Sequence, residues 1–322
     1  MTIILSDLRV MTEPQEGGTY EEMLGLAQRA EAIGFGGFFR SDHYLPMNVP
    51  PESEATDAWA TLAGFARETT TIRLGVLVSP MTFRHPSEFA KVVATVDQMS
   101  GGRLDVGMGA GWFEKEHVAY GLPFPPPAQR MDRLEDSLEV CTRLWADGPG
   151  TYEGKQFSLK NAPGYPKPTQ RPHPHIIIGG GGPKRTPRLA AQFGNEYNSF
   201  GAKPDVFAER KQRVMDACAN QNRDPSSLIY SVMCPTIVGK DDADLRRRSQ
   251  QRLDFNRQND DVNAWIANMQ NGGSLVGTVQ DVATRMKAVA ELGCQRFYLQ
   301  IVPVSDEGML ELIAEELVPL LR

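Results

Sequence analysis

Eight short β-branched or apolar runs, at 3–10, 36–41, 72–78, 104–109, 175–179, 195–200, 229–238 and 296–302, alternate with longer amphipathic stretches from one end of the sequence to the other. Strands separated by helical crossovers pair in parallel, and the helices then cover the sheet. Eight such units are the number that closes on itself, so the sequence predicts an α/β chain folded as a (β/α)8 TIM barrel. The helices between the runs are punctuated to match. Tyr20–Ile33 stops at Gly34, a second helix begins at the capping residue Asp57 and runs to Arg67, and a third opens on Pro86 and ends at Met99, before Gly101 and Gly102. A final helix over 306–320 carries the stripe Leu310, Ile313, Leu317.

At 322 residues the chain suits one barrel with insertions, and it reads as a single domain over 1–322. Two connections are too long for ordinary barrel loops. The one after strand four, about 110–174, holds Pro123, Pro125, Pro126 and Pro127, a helix from Gln129 to Trp145, and a hairpin over Thr151–Phe157. The one after strand seven, about 240–275, holds the charged run Asp241–Arg248 and then Asn271-Gly272-Gly273. Such excursions at the functional face of a barrel form lids or pocket walls. The net charge of -6, without any basic block, repels nucleic acid and anionic membranes, so neither is expected as a partner. The N-terminus lacks a basic stretch followed by an apolar one, and no run reaches the roughly 18 apolar residues of a membrane span, so a cytoplasmic location is expected. Cys141, Cys218, Cys234 and Cys294 are widely spaced and read as reduced core thiols.

Reactive groups of a barrel gather at the C-terminal ends of its strands, so those ends form one set. Strand five empties into Gly179-Gly180-Gly181-Gly182 and then Pro183-Lys184-Arg185. Glycines let successive backbone N–H groups turn toward an oxyanion, and a helix start adds positive charge. Strand four ends in Gly109-Ala110-Gly111-Trp112, giving a second backbone cradle beside the first, with Lys184 and Arg185 as candidate counter-charges. The glycine run lacks the G-K-[ST] ending of a nucleoside triphosphate loop, and the strand-four glycines lack the third glycine of a Rossmann fingerprint. Strand two ends in Arg40-Ser41-Asp42-His43. His43 titrates near neutrality and suits proton transfer, with Asp42 either orienting the ring or capping the loop. Among His117, His173, His175, Glu114 and Glu116 there is no metal-ligand spacing, so no metal is expected.

Taken in order, Ser41-Asp42-His43, the segment Arg73–Pro86, Ser100–Leu104, Gly109–Trp112, Ala162–Pro168 and the glycine run resemble the bacterial luciferase-like superfamily, particularly its branch that uses the deazaflavin coenzyme F420. The resemblance implies a flavin or deazaflavin lying across the C-terminal face of the barrel. Its ring rests on a bulge with a non-proline cis peptide at the end of strand three, here Leu77–Val78 or, as the alternative, Val78–Ser79. Asp42 and His43 fall where polar groups stand near the redox carbon, Gly109, Ala110 and Gly111 match one phosphate loop, and Gly180, Gly181 and Gly182 match the other. Met47, Phe83 and Trp112 are expected to wall the substrate pocket. At Met47 and Trp112 the chain departs from the sugar-phosphate dehydrogenases of that family, which weighs against the same substrate.

The expected activity is hydride transfer between F420 and a small organic substrate, with an FMN-dependent monooxygenase on the same scaffold as the alternative. A hydrolase is disfavoured because Asp42 has no carboxylate partner at another strand end. A ligand-binding barrel without turnover would have no use for the His/Asp pair beside a phosphate cradle. A homodimer is expected from the resemblance.

Overall fold

A computed structural model describes residues 2–49, 55–302 and 308–322. The strands, in chain order, are β1 (Leu8–Thr12), β2 (Gly37–Arg40), β3 (Arg73–Pro80), β4 (Leu104–Gly109), β5 (Gly150–Glu153), β6 (Ser158–Ala162), β7 (His175–Gly179), β8 (Glu196–Phe200), β9 (Ile229–Gly239), β10 (Leu275–Thr278) and β11 (Arg296–Gln300). Eight of them, β1, β2, β3, β4, β7, β8, β9 and β11, follow one another round a closed parallel ring, with β8 paired to β9, β9 to β11 and β11 back to β1. The fold is therefore a TIM barrel.

Two strand expectations need correction. The first strand begins at Leu8 rather than at residue 3, because Leu5–Asp7 forms a 3-10 turn in which the Asp7 carboxylate accepts from Ile4 N at 3.0 Å. It also extends to Thr12, which moves the strand end by two residues. The short β10 was not anticipated: four residues containing Gly277 carry little strand signal. Its place follows from the length of β9. That strand spends its first part on the ring and continues past it, where Thr236–Gly239 pair with Leu275–Thr278 outside the ring.

Helices α1 (Tyr20–Ile33), α2 (Ala58–Glu68), α3 (Pro86–Ser100), α4 (Glu114–Ala119), α5 (Pro127–Trp145), α6 (Arg185–Phe193), α7 (Pro204–Ala219), α8 (Asp242–Phe255), α9 (Val262–Gly272) and α10 (Val279–Glu291) accompany the strands. Their starts and stops have local causes. Thr19 and Glu22 cap α1 reciprocally, the Asp57 side chain accepts from Trp59 N and Ala60 N at 2.9 Å each, and Gly34 and Gly101 end their helices in the left-handed conformation. The insertion after β4 holds α4, α5 and the antiparallel hairpin β5–β6. At the C-terminus, α11 (Met309–Leu312) passes through a π turn (Ile313–Leu317) into α12 (Val318–Leu320), burying Leu310, Ile313 and Leu317; the expected helix start at 306 lies outside the described residues.

Inside the ring, Met11, Phe39, Leu77, Ile177 and Tyr298 form an apolar plug, with Phe39 edge-on to Tyr298 at 4.9 Å. Nearer the N-terminal strand ends lies a charged layer in which Glu196 accepts from Arg296 at 2.6 Å and from the Tyr298 hydroxyl at 2.8 Å. The plug separates that layer from the C-terminal mouth.

Candidate active site

Above the plug the strand ends enclose one cavity of about 870 Å3. Its floor is the end of β3, where the register with β4 shifts between Val76 and Ser79 and the Leu77–Val78 peptide is cis, as the resemblance implied. The Val78 side chain occupies the space that side chains on the next two strands would need. A Cβ on Gly107, Gly109 or Gly179 would come within 2.8, 2.7 and 2.9 Å of its methyl groups, closer than carbon atoms pack. These glycines on β4 and β7 are thus required by close approach.

Beyond Val78, Ala110 and Gly111 on one side and Gly180, Gly181 and Gly182 on the other line the same space, together with the Thr186 side chain. β4 and β7 pair directly, so the two glycine loops are neighbours. Gly111 and Gly180 have φ of 80° and 134°, which a side chain rarely adopts. The expected counter-charges are elsewhere: Arg185 pairs with Asp132 at 2.7 Å and Glu135 at 2.8 Å, and Lys184 faces a separate groove between α6 and α7. Arg210 and Arg130 take their place on the cavity wall. Arg210 reaches in from α7, donates to Ser199 Oγ at 2.8 Å, and would lie 3.0 Å from a Cβ on Gly181. Arg130 stacks over Phe124 at 4.0 Å, with its Nε buried and unpaired among the described residues.

His43 enters the same cavity from the end of β2. Its Nδ1 lies 3.0 and 3.1 Å from the two oxygens of Glu116, a carboxylate that also accepts from Tyr44 N at 3.0 Å. An acceptor on that side fixes the hydrogen on Nδ1 and leaves Nε2 without a hydrogen-bond partner among the described residues. Burial opposes the charged imidazole, but the hydrogen bond and charge of Glu116, helped by Glu13 and Asp42, outweigh it and hold the pKa above its ordinary value. Glu116 is aimed by its neighbour. His117, fully buried on α4, donates from Nδ1 to Phe113 O at 2.8 Å and accepts at Nε2 from the Thr82 hydroxyl at 2.7 Å, tying α4 to the end of β3.

Asp42 therefore does not orient His43. It is buried, ion-paired with Arg84, and accepts from Ser79 Oγ at 2.7 Å, because a buried carboxylate takes the cation within reach. Ser79 also points away from the cavity, accepting from Trp59 Nε1 at 2.9 Å. Met47 and Trp112 do line the cavity, Trp112 edge-on to the His43 ring at 5.8 Å and 65% exposed at the mouth. Phe83 does not: it stacks on Tyr44 at 4.5 Å and leans on His117, bracing α4 from behind.

Several lining groups escaped the sequence reading. Glu13 follows the end of β1 directly and is held between the amides of Gln15 and Gln300; ending strand one two residues early hid it. Glu116 stands four residues past Trp112, a signal visible only if the start of the insertion is read as part of the strand-four end. Arg210 and Arg252 arrive from helices α7 and α8, for which the strand ends give no cue. Among the described residues no group of three or more His, Cys, Asp or Glu side chains is placed to hold a metal ion.

Residues 1–296 match the family model for luciferase-like monooxygenases. An F420-dependent glucose-6-phosphate dehydrogenase from Microbacterium testaceum is 33% identical over 216 residues, 66% of this chain; the match spans 63% of that relative, just under two thirds of its length. A solved F420-dependent secondary alcohol dehydrogenase, in complex with an F420–acetone adduct, superposes with a TM-score of 0.80 at 20% identity over 99% of this chain and 100% of its own. The oxygenating constituent of 3,6-diketocamphane monooxygenase from Pseudomonas putida, in complex with FMN, gives 0.77 at 17% identity over 99% of each chain. At these identities the likeness to the solved structures concerns the fold.

Proposed function

The chain belongs to the luciferase-like monooxygenase family, and on that footing we propose that it transfers a hydride between coenzyme F420 and a small organic substrate. One observation carries the reading: the two neighbouring glycine loops, the Val78 floor and the free nitrogen of His43 all face a single cavity. The residues present fit such a cofactor. A Cβ at Gly109, Gly111, Gly179 or Gly182 would meet neighbouring atoms at 2.7, 2.9, 2.9 and 2.8 Å, so these positions stay bare, and Arg130 and Arg210 bring positive charge to the place where an anionic tail would lie. A cavity of about 870 Å3 is within the range that small-molecule and cofactor sites occupy.

When bound, the deazaflavin supplies the carbon that gives or takes the hydride. The chain's own residues do the rest. Gly109, Ala110 and Gly111 with Gly179, Gly180, Gly181 and Gly182 hold the tail, and Leu77 and Val78 support the ring. His43 Nε2 gives or receives the accompanying proton, its other nitrogen being committed to Glu116. Met47 and Trp112 wall the substrate side. Asp42 and Ser79 act from outside the cavity as positioning residues, linking the end of β2 to the end of β3.

The FMN-bound fold neighbour and the family model's own description favour a second reading, an FMN-dependent monooxygenase in the same cavity. Titrating the purified protein separately with F420 and with FMN, followed by ring fluorescence, decides between them. Tight FMN binding with oxygen consumption and no F420 turnover would replace the first reading. We further take the enzyme to be a cytoplasmic homodimer, which analytical ultracentrifugation and cell fractionation check. Among the described residues no helix is long and apolar enough to cross a membrane.

A further inference from the structure

The part of the cavity wall contributed by Glu13, Glu16, Met47, Asn48, Arg252 and Gln300 has no place in cofactor binding as proposed, yet it is built with care. Both carboxylates there are already engaged. Glu13 is held by the side-chain amides of Gln15 and Gln300, and Glu16 accepts from Met47 N at 2.8 Å and from Asn48 N at 3.1 Å, pinning the loop after β2 to the end of β1. Arg252, from α8, is the exception. It lines the cavity, partly buried, and its guanidinium donates no hydrogen bond to any described residue. Its neighbours along α8 behave otherwise: Arg247 and Arg248 both pair with Asp244, and Gln250 donates to Asp254.

A guanidinium carries five N–H donors in a rigid fork suited to carboxylate or phosphate, and those of Arg252 stand at the cavity wall with no partner among the described residues. Burial holds its pKa below the ordinary value, and the nearby charges of Glu16 and Glu13 offset that only in part, without meeting its donors. We propose that Arg252 is the specificity-determining residue for the substrate, which it recognises by a carboxylate or phosphate oxyanion. The carboxylates and amides around it give that oxyanion's neighbouring hydroxyl or amine groups acceptors to bind. The inference rests on the hydride-transfer reading only in calling the bound anion a substrate.

The test uses the protein saturated with whichever of F420 or FMN it binds, so that the tail loops are filled. Wild type, Arg252→Gln and Arg252→Lys are titrated calorimetrically with inorganic phosphate and with acetate, and each variant's thermal melting is recorded. At least one of the two anions should bind wild type, bind at least tenfold more weakly to Arg252→Gln, and recover part of the loss in Arg252→Lys, with cofactor affinity unchanged throughout. Which anion responds identifies the group the substrate carries. Failure of both anions to bind wild type, or equal binding to a folded Arg252→Gln, overturns the proposal. If the protein binds neither cofactor, the proposed function fails, and the same titration of the unloaded protein still decides for or against Arg252.

Discussion

The cavity's rim at β4 and β7 is defined by side chains that are missing, whereas its rim at β1 and β2 is defined by side chains that are charged. On the first, glycines at 107, 109 and 179 make room for Val78, and the loops that follow offer backbone to a ligand. On the second, Glu13, Glu16 and His43 are each fixed by a named hydrogen-bond partner, His43 by Glu116 reaching across from α4. A cavity assembled this way separates holding from reacting. Under the proposed function, space and backbone would bind the cofactor, while the chemistry would reside in groups whose protonation depends on their neighbours. Substitutions on the two rims should accordingly move different observables.

The largest effect is expected from His43→Ala, which should lower turnover by about two to four orders of magnitude while F420 affinity, read from ring fluorescence, stays within twofold of wild type. A parallel loss of affinity would mean that the rims are not independent. Next comes Gly109→Val, whose side chain must enter space held by Val78; a cost of about 1–3 kcal/mol, or roughly fivefold to 150-fold in cofactor affinity, is expected. Gly181→Val should cost less, because the atom it meets is the movable end of Arg210. Equal losses at 109 and 181 would make both positions parts of one rigid cradle. Arg210→Gln should weaken cofactor binding by about tenfold, through loss of a charged donor, and leave the pH profile of turnover in place.

Glu116→Gln should have the smallest effect on rate, a few-fold loss, but the clearest effect on pH. Because Glu116 is what holds the His43 pKa above its ordinary value, the variant's imidazole should titrate lower, which NMR of the ring protons would show directly. The linkage has a definite sign. A raised histidine pKa contributes stability that is fully present below the unfolded value of about 6.5 and is lost as pH rises through the folded value. Glu116→Gln should therefore lose more stability in mildly acidic buffer than in alkaline buffer, and a uniform loss would mean that Glu116 acts by packing alone.

Periodicity carried the barrel because most ring strands are short runs of β-branched or apolar residues bounded by turn residues, and Ile176-Ile177-Ile178 before four glycines leaves little alternative. It failed where tertiary pairing overrides local preference. Residues 3–7 are apolar enough for a strand but lie outside the ring, and 275–278 becomes a strand only because β9 outlasts the barrel. At the site, placement by strand ends put His43, Val78 and both glycine loops around one cavity. The partner of His43 was out of reach of that logic. Asp42 is adjacent in sequence, but successive residues at a strand end point to opposite sides, and Asp42 turns to Arg84 while His43 turns to a carboxylate 73 residues away. Cations were misplaced for a related reason: Lys184 and Arg185 are near the glycines along the chain, whereas Arg130 and Arg210 are near them in space.

The contact between Val78 and three glycines also sets the order in which descendants of this chain can diverge. Shrinking residue 78 meets no steric bar and leaves a void in the cavity floor, whereas a side chain can appear at 109 or 179 only after residue 78 has given up its methyl groups. Gly107 is closed even then, since a Cβ there would also strike the Val76 carbonyl oxygen at 2.2 Å. Lineages that exchange one ligand for another by reshaping this floor must therefore pass first through a roomier, less stable ancestor.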